Sequence, residues 1–414
     1  MPFEVPEGWV WTTLGEISTY GECNTITIDE IGKDDWILEL EDLEKDTAAI
    51  IQTLTKKERS IKGVRHKFCK GEVLYSKLRT YLNKVLVAPN DGYCTTEIMP
   101  FNSFCSISTD YLCHVLRSSY FLGYTLQCGY GVKMPRLSTN DARKGMIPLP
   151  PLAEQLRIVN EIERSFAAIN TLENSKTHLQ TAIKQAKNKI LDLAIHGKLV
   201  PQDPNDEPAS ELLKRINPKV EITCDNGHYE NLPSGWTSIT IKDVCENING
   251  LWKGKKEPFV NVGVIRNANF TKDFKLDYSN IEYINVEERA FSQRHLLKGD
   301  LIVEKSGGSD NNPVGRAILY EGENRFFSFS NFTMVLRVKD KNVVSSKFLY
   351  YYILSKYQKG VMRSMQTQTT GLHNLILDKY LAMPLYLPPY SEQKRIINRI
   401  EGIFNTLDTI MESL

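Results

Sequence analysis

A proline-rich turn, Ile147-Pro148-Leu149-Pro150-Pro151-Leu152, leads into Ala153-Glu154-Gln155-Leu156-Arg157-Ile158 and a helical pattern that continues to about His196. Proline fits the first turn of a helix but not its interior, so Pro150 and Pro151 predict where the helix begins. Gly197 and the prolines after it predict where it ends. A helix of roughly 45 residues is about 65 Å long, more than the diameter of a small domain. We therefore expect it to bridge separate parts of the molecule.

The same opening recurs 238 residues later, as Leu387-Pro388-Pro389-Tyr390-Ser391-Glu392-Gln393-Lys394-Arg395-Ile396. Both copies continue in alternating steps of four and three, the heptad spacing of helices that pack on a partner helix. The first seam is Ile158, Ile162, Ser165, Ile169, Leu172, Lys176, Leu179, Ile183, Ala186, Ile190 and Leu193; the second is Ile396, Ile400, Ile403, Leu407, Ile410 and Leu414. A duplicated heptad helix predicts that the copies pack on each other. The polar positions Ser165 and Lys176 are either tolerated on a surface helix or fix the register.

Two further segments are duplicated in the same order. Pro6-Glu7-Gly8-Trp9 recurs as Pro233-Ser234-Gly235-Trp236, and the segment Lys70 to Lys77 recurs as Lys298 to Lys305. The sequences between these anchors barely match. The anchors define a unit of about 150 residues plus a helix, present twice. A shared frame with divergent interiors is expected if the interiors read different targets.

Composition bounds the class of protein. The chain has 414 residues, which favours two to three domains, and its 41% hydrophobic and 24% charged content is typical of globular proteins. It has no apolar run of membrane-spanning length and no signal sequence, so we expect no membrane and a cytoplasmic location. The eight cysteines show no CxxC pair or zinc spacing and indicate reduced thiols. With a net charge of +1, any nucleic-acid role must depend on local basic patches.

The interiors combine strand and helix patterns, which favours an α+β fold with a curved sheet in each repeat. The predicted strands are Val85–Ala88, Ala317–Tyr320 and Phe332–Val338, and the predicted helices are Thr109–Gly123, Ser346–Lys359 and Ala209–Ile216. The last of these lies in a polar linker. The predicted domain bounds are 1–150, a helix over 151–200, a linker over 201–231, a second domain over 232–388 and a short C-terminal helix over 389–414.

The sequence contains no recognisable catalytic motif. Gly250 to Lys256 has neither the length nor the Ser/Thr of a phosphate-binding loop, and no GxGxxG follows a strand. Asn311-Asn312-Pro313-Val314 lacks the second proline of an amino-methyltransferase motif. The seven histidines form no triad or metal spacing. We therefore expect a chain that is not an enzyme by itself.

Four basic or polar clusters occur instead, at 56–70, 133–138, 251–256 and 356–370. Lys and Arg bind phosphates, whereas Arg, Asn and Gln read base edges. A single such cluster is more often a solvated loop, but 133–138 and 356–370 both precede the Pro-Pro block of their own repeat, which favours function. We predict DNA contacts by Lys77, Arg79, Lys84, Lys133 and Arg136 in the first domain, and by Lys253, Lys255, Lys256, Arg363, Gln366 and Gln368 in the second. Arg79 could equally form an ion pair within its domain.

These segments together resemble the specificity subunit of a type I restriction–modification enzyme. The resemblance covers nearly the whole chain in the family's order. Besides the anchors and the Pro-Leu-Pro-Pro-Leu-Ala-Glu-Gln block, it is carried by Ser76-Lys77-Leu78-Arg79-Thr80-Tyr81-Leu82-Asn83-Lys84, Thr95-Thr96-Glu97, Lys133-Met134-Pro135-Arg136-Leu137-Ser138 and Ala194-Ile195-His196-Gly197-Lys198-Leu199-Val200.

The resemblance implies two target recognition domains, each reading one half of a split site in double-stranded DNA. It implies a pseudo-twofold arrangement in which the two long helices form an antiparallel coiled coil and set the distance between half-sites. It also implies docking of two methyltransferase subunits and, through them, of motor-nuclease subunits. Those partners would hold S-adenosylmethionine, ATP and Mg²⁺, with no cofactor on this chain. The second helix is much shorter than the first, a departure from the family pattern that bears on the length over which the two helices can pair.

Two other classes of protein remain as alternatives. A stand-alone DNA methyltransferase would explain DNA binding, and S-adenosylmethionine binding by the isolated chain would support it. A coiled-coil scaffold without nucleic acid would explain the helices but not a duplicated frame with unlike interiors. Selection of DNA from a random-sequence pool would separate these classes.

Overall fold

The structure is a computed structural model that describes residues 2–104, 107–131, 133–216, 232–251, 256–309, 312–369 and 372–414. The chain divides into two compact units, Met1–Glu173 and Asn174–Leu414. Because the division falls inside the long helix, each unit contains one globular domain and one part of that helix. The finer division into five segments remains a prediction.

The described residues of the first unit form ten strands in three small sheets. They are β1 (Val10–Thr13), β2 (Asn24–Ile26), β3 (Trp36–Leu38), β4 (Leu54–Thr55), β5 (Arg65–Phe68), β6 (Val73–Ser76), β7 (Val85–Val87), β8 (Gly92–Cys94), β9 (Ile98–Phe101) and β10 (Met146–Leu149). The sheet orders are β2-β5-β8-β3-β4, β7-β6-β9 and β1-β10. In the last, β1 and β10 form an antiparallel ribbon, so the domain's chain enters and leaves at the same place.

The helices of the first unit are α1 (Leu14–Ile17), α2 (Thr109–Arg117), α3 (Ser119–Cys128), α4 (Thr139–Lys144) and the first part of α5 (Leu152–Ile195). The single helix predicted over Thr109–Gly123 is wrong, because the chain breaks at Ser118. The backbone of Ser118 is extended, and its hydroxyl accepts a hydrogen bond from the Phe121 amide, which caps a second helix. Serine at a break of this kind is a helix start as well as a helix stop.

The described residues of the second unit form twelve strands, β11 (Thr237–Thr240), β12 (Cys245–Asn249), β13 (Phe259–Ile265), β14 (Glu282–Glu287), β15 (Leu301–Glu304), β16 (Ser306–Gly308), β17 (Ala317–Leu319), β18 (Phe327–Phe329), β19 (Thr333–Val338), β20 (Gln366–Thr369), β21 (Leu372–Leu375) and β22 (Pro384–Leu387). Its helices are α6 (Ala209–Ile216), α7 (Ile241–Val244), α8 (Glu288–Gln293), α9 (Ser346–Gln358), α10 (Leu377–Leu381) and α11 (Tyr390–Glu412). The sheet orders are β12-β19-β15-β17, β14-β13-β18, β16-β21-β20 and β11-β22.

The two units share a strand topology. The order β7-β6-β9 in the first corresponds to β17-β15-β19 in the second, with all pairs antiparallel. The order β8-β3-β4 corresponds to β18-β13-β14, and in both cases one parallel pair adjoins one antiparallel pair. The antiparallel ribbon β1-β10 corresponds to β11-β22. The expectation of a duplicated α+β domain with small curved sheets is confirmed.

The duplicated Glu-Gln pair has a structural role in joining each helix to its domain. Gln155 is buried; its Nε2 donates to the Pro150 carbonyl oxygen at 2.9 Å, and its Oε1 accepts from the Ser108 amide at 2.8 Å. In the second unit, the Gln393 Nε2 donates to the Pro388 carbonyl oxygen at 3.1 Å, and its Oε1 accepts from the Ser345 amide at 2.8 Å. Ser108 and Ser345 are the residues that immediately precede α2 and α9. One glutamine therefore fixes a long helix to a domain helix in each unit.

Within the second unit, α11 packs antiparallel on the later part of α5. The Lys187 ammonium pairs with the Asp408 carboxylate, and the Lys176 ammonium donates to the Leu414 carbonyl oxygen. The two contacts run in opposite sequence directions, as an antiparallel pair requires. Ile183, Ile396 and Ile400 are 3%, 1% and 0% exposed, which confirms the seam in this region. The pairing ends near Lys176 because α11 ends at Glu412.

We expect the buried Glu392 carboxyl to make the second unit's stability depend on pH. Burial raises its pKa, although the Gln202 amide and the Trp236 indole donate to it, each at 3.1 Å. A raised pKa in the fold means that stability is fullest below the unfolded pKa of about 4.3 and falls as pH rises through the folded value. The Glu392→Gln variant should show a smaller decline in urea midpoint above pH 4. Equal slopes for wild type and variant would contradict this.

Candidate nucleic-acid interface

The loop after β6 brings three predicted residues together in the first unit. The Lys77 amide donates to the Glu97 carbonyl oxygen at 2.9 Å, and the Lys77 carbonyl oxygen accepts from the Leu137 amide at 2.9 Å. The Arg79 amide donates to the Pro135 carbonyl oxygen at 2.7 Å. The segments around Lys77, Arg79 and Arg136 are therefore held side by side by backbone bonds, although almost 60 residues of sequence separate them.

Arg79 has a left-handed backbone, with φ of 52°. A non-glycine residue in this region carries a conformational cost, and such residues are often found at functional sites. Its Nε is buried and has no hydrogen-bond partner within the part of the chain that the structure describes. It does not lie on a strand, and it forms no ion pair with a described residue.

A cavity of about 470 Å³ opens beside this loop. Its walls combine cationic, anionic and hydroxyl groups, so it offers both hydrogen-bond donors and acceptors. The lining residues are Glu39, Leu40, Glu41, Arg59, Ser60, Ser76, Leu78, Arg79, Leu82, Lys84, Thr95 and Met134. Arginine pairs with guanine edges and acidic residues accept from cytosine amino groups, so a wall of this kind suits a base edge.

Arg59 is the residue in this cavity that the sequence analysis did not select, although it lies in the basic cluster at 56–70. Its Nη2 donates to the buried Asp42 carboxylate, and its Nη1 is buried without a partner among the described residues. Asp42 also accepts from the Gln52 amide at 2.6 Å. The bond from Nη2 fixes the plane of the guanidinium. Nη1 is left without a hydrogen-bond partner among the described residues, beside the cavity. Only the tertiary structure distinguishes Arg59 from its exposed neighbours.

The other predicted residues of the first domain differ in whether their side chains already have partners within the domain. The Lys84 ammonium donates to the Leu40 carbonyl oxygen at 2.7 Å, and burial lowers its pKa. Arg136 forms a two-bond ion pair with Glu97, at 3.0 and 2.6 Å. Lys133 is exposed. Lys84 and Arg136 thus have partners within the domain, whereas Lys133 is exposed to solvent.

The second unit holds an equivalent loop after β15. The Lys305 carbonyl oxygen accepts from the Leu375 amide at 2.8 Å, as Lys77 accepts from Leu137. The strands β16, β21 and β20 continue from this contact and carry two predicted residues. The Gln366 Oε1 accepts from the Val314 amide at 3.3 Å, whereas Gln368 is exposed. The clusters at 133–138 and 356–370 therefore lead into equivalent positions of the two domains.

The remaining predicted residues lie elsewhere or outside the described residues. Arg363 is exposed in the short 3₁₀ helix before β20. Lys256 is exposed, and its amide donates to the Glu287 carboxylate at 3.2 Å. Lys253 and Lys255 lie outside the described residues. All these assignments to DNA remain predictions.

Three polar side chains near this second loop were missed by the sequence analysis. The Lys305 ammonium donates to Asn249 at 3.1 Å, and burial lowers its pKa. The Asn267 amide donates to the Ser306 carbonyl oxygen at 2.6 Å. Lys305 was accessible to sequence reasoning because the repeat aligns it with Lys77. The asparagines gave no signal, since they come from strands distant in sequence.

Once a target sequence is known, we expect alanine substitutions at Arg59 and at Lys133 to affect DNA binding in different ways. Arg59→Ala should weaken binding to the target by ~10- to 100-fold, because a lost base contact costs ~1–3 kcal/mol, and should relax one position. Lys133→Ala should weaken all sequences alike and lower the salt slope by ~1. Fluorescence anisotropy at several salt concentrations measures both effects.

Lys144→Ala is the matched control, since Lys144 is exposed on α4 outside the loop. Normal binding by Arg59→Ala and Lys133→Ala at every salt concentration would remove both residues from the interface.

Comparison with protein families identifies one match in the second half of the chain. The family described as "Type I restriction modification DNA specificity domain" matches residues 233–414. Among the described residues, no helix is both long and apolar enough to cross a membrane, and no three His, Cys, Asp or Glu side chains are placed to hold a metal ion.

Relatives and solved structures extend the match to the full length. The Escherichia coli type I restriction enzyme EcoEI specificity subunit is 24% identical, with 100% of this chain and 80% of the relative covered. The EcoAI specificity subunit of the same organism is 25% identical, with 99% and 80% covered.

Two solved structures support the fold. The HsdS subunit from Thermoanaerobacter tengcongensis has a TM-score of 0.57 at 17% identity, covering 100% of this chain and 93% of that one. A chain from a structure on complex assembly and conformational transition of the type I R-M system has a TM-score of 0.63 at 17% identity, covering 100% and 94%. The relatives that match over the full length of the chain are named as specificity subunits. Over its full length the chain is similar to the specificity subunits of type I restriction enzymes.

Proposed function

We propose that each globular domain reads one half of a bipartite site in double-stranded DNA. The observation that carries this proposal is the contrast between a common frame and unlike linings. The loop after β6 presents Lys77 and Arg79, whereas in the second unit β15 is followed by Lys305 and then directly by β16, Ser306-Gly307-Gly308. Different donors and acceptors at the same place in one fold are what two readers of different sequences require.

The helices are proposed to hold the half-sites at a set distance. A paired helix resists bending, whereas a flexible linker lets its ends wander. The pairing of α11 with α5 supports this role, since buried isoleucines and the Lys187–Asp408 ion pair fix its register. The long helices are also the proposed docking site for two methyltransferase subunits, and motor-nuclease subunits would join through them.

Cofactors are proposed to reside on those partners. S-adenosylmethionine, ATP and Mg²⁺ would serve methyl transfer, translocation and cleavage on the partner subunits, while this chain recognises the DNA sequence. A complex that acts on chromosomal DNA would work in the cytoplasm.

Exchange of one domain tests the proposal. The target is first selected from a random DNA pool with the full chain and its methyltransferase subunits. Residues 232–388 are then replaced by the second domain of another specificity subunit. We expect the half-site read by the first domain to stay unchanged while the other half changes.

A hybrid whose whole target changed would contradict independent reading. Enrichment of no sequence at all would favour the scaffold, and S-adenosylmethionine binding by the isolated chain would favour a stand-alone methyltransferase.

A further inference from the structure

A short 3₁₀ turn follows β3 in the first domain and the equivalent strand β13 in the second. The turns are Leu40–Asp42 and Asn267–Asn269, and each begins two residues after its strand ends. In each, the backbone amide of the residue before the turn donates to the side chain of the turn's third residue, at 2.7 and 2.9 Å. Leu40 and Asn267, the first residues of the two turns, are therefore equivalent positions.

A second pair of equivalent positions lies in the segments that follow β6 and β15. The repeat that aligns Lys77 with Lys305 also aligns Arg79 with Gly307. Both have a left-handed backbone, with φ of 52° and 104°. Glycine adopts this conformation without steric cost, whereas an arginine there is disfavoured. The first domain therefore keeps a long polar side chain at a position where the backbone favours none.

In the second domain, the first residue of the turn lies against this glycine. A Cβ atom added to Gly307 would be 3.2 Å from the Asn267 Nδ2. That nitrogen donates to the Ser306 carbonyl oxygen at 2.6 Å, which holds the carboxamide beside the segment after β15. The Asn267 Oδ1 is buried without a hydrogen-bond partner among the described residues. The place that an arginine side chain would enter is thus taken by an asparagine from the turn.

In the first domain the two positions have exchanged roles. Leu40 is apolar and packs against a small core cluster, while Arg79 provides the polar side chain. Both residues line the cavity of about 470 Å³ beside the loop. The Arg79 Nε is buried without a partner in the described part of the chain. Each domain thus has one polar side chain at this pair of positions, from the loop in the first and from the turn in the second.

We propose that these paired positions determine which base each domain prefers at one equivalent place in its half-site. We call them the reader pair: Leu40 with Arg79 in the first domain, and Asn267 with Gly307 in the second. The inference rests on the proposed reading of a bipartite DNA site. It adds that the polar member of each pair contacts a base edge rather than a phosphate.

The chemistry of the two polar side chains assigns the bases. A guanidinium donates to both O6 and N7 of guanine, so Arg79 prefers a G·C pair. A carboxamide accepts from N6 and donates to N7 of adenine, so Asn267 prefers an A·T pair. The Asn267 amide has two N–H groups, and one remains available after the bond to Ser306. The two half-sites should therefore carry a G·C pair and an A·T pair at matching places.

Glycine at position 79 provides the first test, with the full chain and its methyltransferase subunits. The site is selected from a random DNA pool, and binding is measured by fluorescence anisotropy. Arg79→Gly should bind the selected site ~10- to 100-fold more weakly and lose the G·C preference at one position of the first half-site. The urea midpoint should not fall, because glycine relieves the left-handed backbone. Asp46→Gly is the matched control, since Asp46 is exposed, has φ of 65° and does not line the cavity.

Transfer of the reader pair provides the second test. The double variant Leu40→Asn with Arg79→Gly reproduces the second domain's pair in the first domain. It should change the preference at that position from G·C to A·T and leave the other half-site unchanged. Leu40→Asn alone should keep the G·C preference, because Arg79 is still present. Urea unfolding of both variants shows whether the partly buried Leu40 position tolerates asparagine.

A substitution in the second domain keeps the inference testable if the double variant does not fold. Asn267→Ala should lose the A·T preference at one position of the second half-site and leave the first half-site unchanged. Asn261→Ala is its control, because Asn261 is exposed on β13 and its amide donates to the Asn285 side chain at 2.9 Å. Asn261→Ala should keep every base preference.

The outcomes separate this inference from the proposed function. A bipartite site whose base preferences are unchanged in both Arg79→Gly and Asn267→Ala would overturn the inference and leave the proposed function intact. An equal loss for all sequences, with the salt slope lowered by ~1, would make Arg79 a phosphate contact and overturn the inference as well. Selection of no DNA sequence would overturn the proposed function, and this inference with it.

Discussion

Gln393→Leu should destabilise the second unit by about 3–5 kcal/mol, a large fraction of a domain's net stability. Leucine fills a similar volume but leaves the Ser345 amide and the Val343 and Pro388 carbonyl oxygens without their partner. Each buried polar group left unpaired costs ~1–3 kcal/mol. The loss also uncouples α11 from the first turn of α9, so both elements should open together.

Hydrogen exchange with mass spectrometry is the suitable measurement, since two units need not unfold as one. We expect faster exchange at 345–350 and 390–397 and little change in the first unit. Gln155→Leu is the matched variant and should give the same pattern around Ser108 instead. Asn398→Leu, at an exposed position of α11, is the control. Unchanged exchange in both glutamine variants would contradict the proposed joint.

Insertion of four alanines after Glu173 should shift the preferred spacer between half-sites by one or two base pairs. Four helical residues add ~6 Å of rise, and one base pair spans ~3.4 Å. The insertion lies before Lys176, where the pairing with α11 ends, so it should leave that pairing intact. Activity on the original spacer should fall strongly, because misplaced half-sites cannot be contacted together.

Methylation across a library of spacers, with the methyltransferase subunits present, measures the effect. Both half-site sequences should stay the same. A variant in which the four existing residues after Glu173 are replaced by alanine, with no added length, controls for composition. An unchanged spacer optimum in a folded, active insertion variant would show that the helices do not set the distance.

Much of the fold follows from the sequence because its signals are periodic. The heptad seam and the flanking Pro and Gly residues placed the long helix within a residue or two of Leu152–Ile195. The predictions for Ala209–Ile216 and for the core of α9 are confirmed. The break at Ser118 was missed because its hydroxyl acts as a local cap within an otherwise helical pattern.

The site was harder to predict because its geometry is tertiary. Sequence placed Lys77, Arg79 and Arg136 in one domain, but the Glu97 partner of Arg136 is 39 residues away and gave no signal. The selection of Arg59 among several basic neighbours depends on the buried Asp42 that holds it. Pairing of this kind is decided by which strands become neighbours, and that information is spread over the whole domain.

The ribbons β1-β10 and β11-β22 affect how a domain could be exchanged by recombination. Each brings the first and last strands of a domain into register, with Val10 opposite Leu149 and Thr237 opposite Leu387. The chain between those strands therefore starts and ends at neighbouring positions, as in domains that tolerate insertion into another protein. Two crossovers in the DNA that encodes the ribbon strands would therefore deliver a complete foreign interior without disturbing the helices. A single recombination event could therefore exchange a whole domain interior while both long helices stay intact.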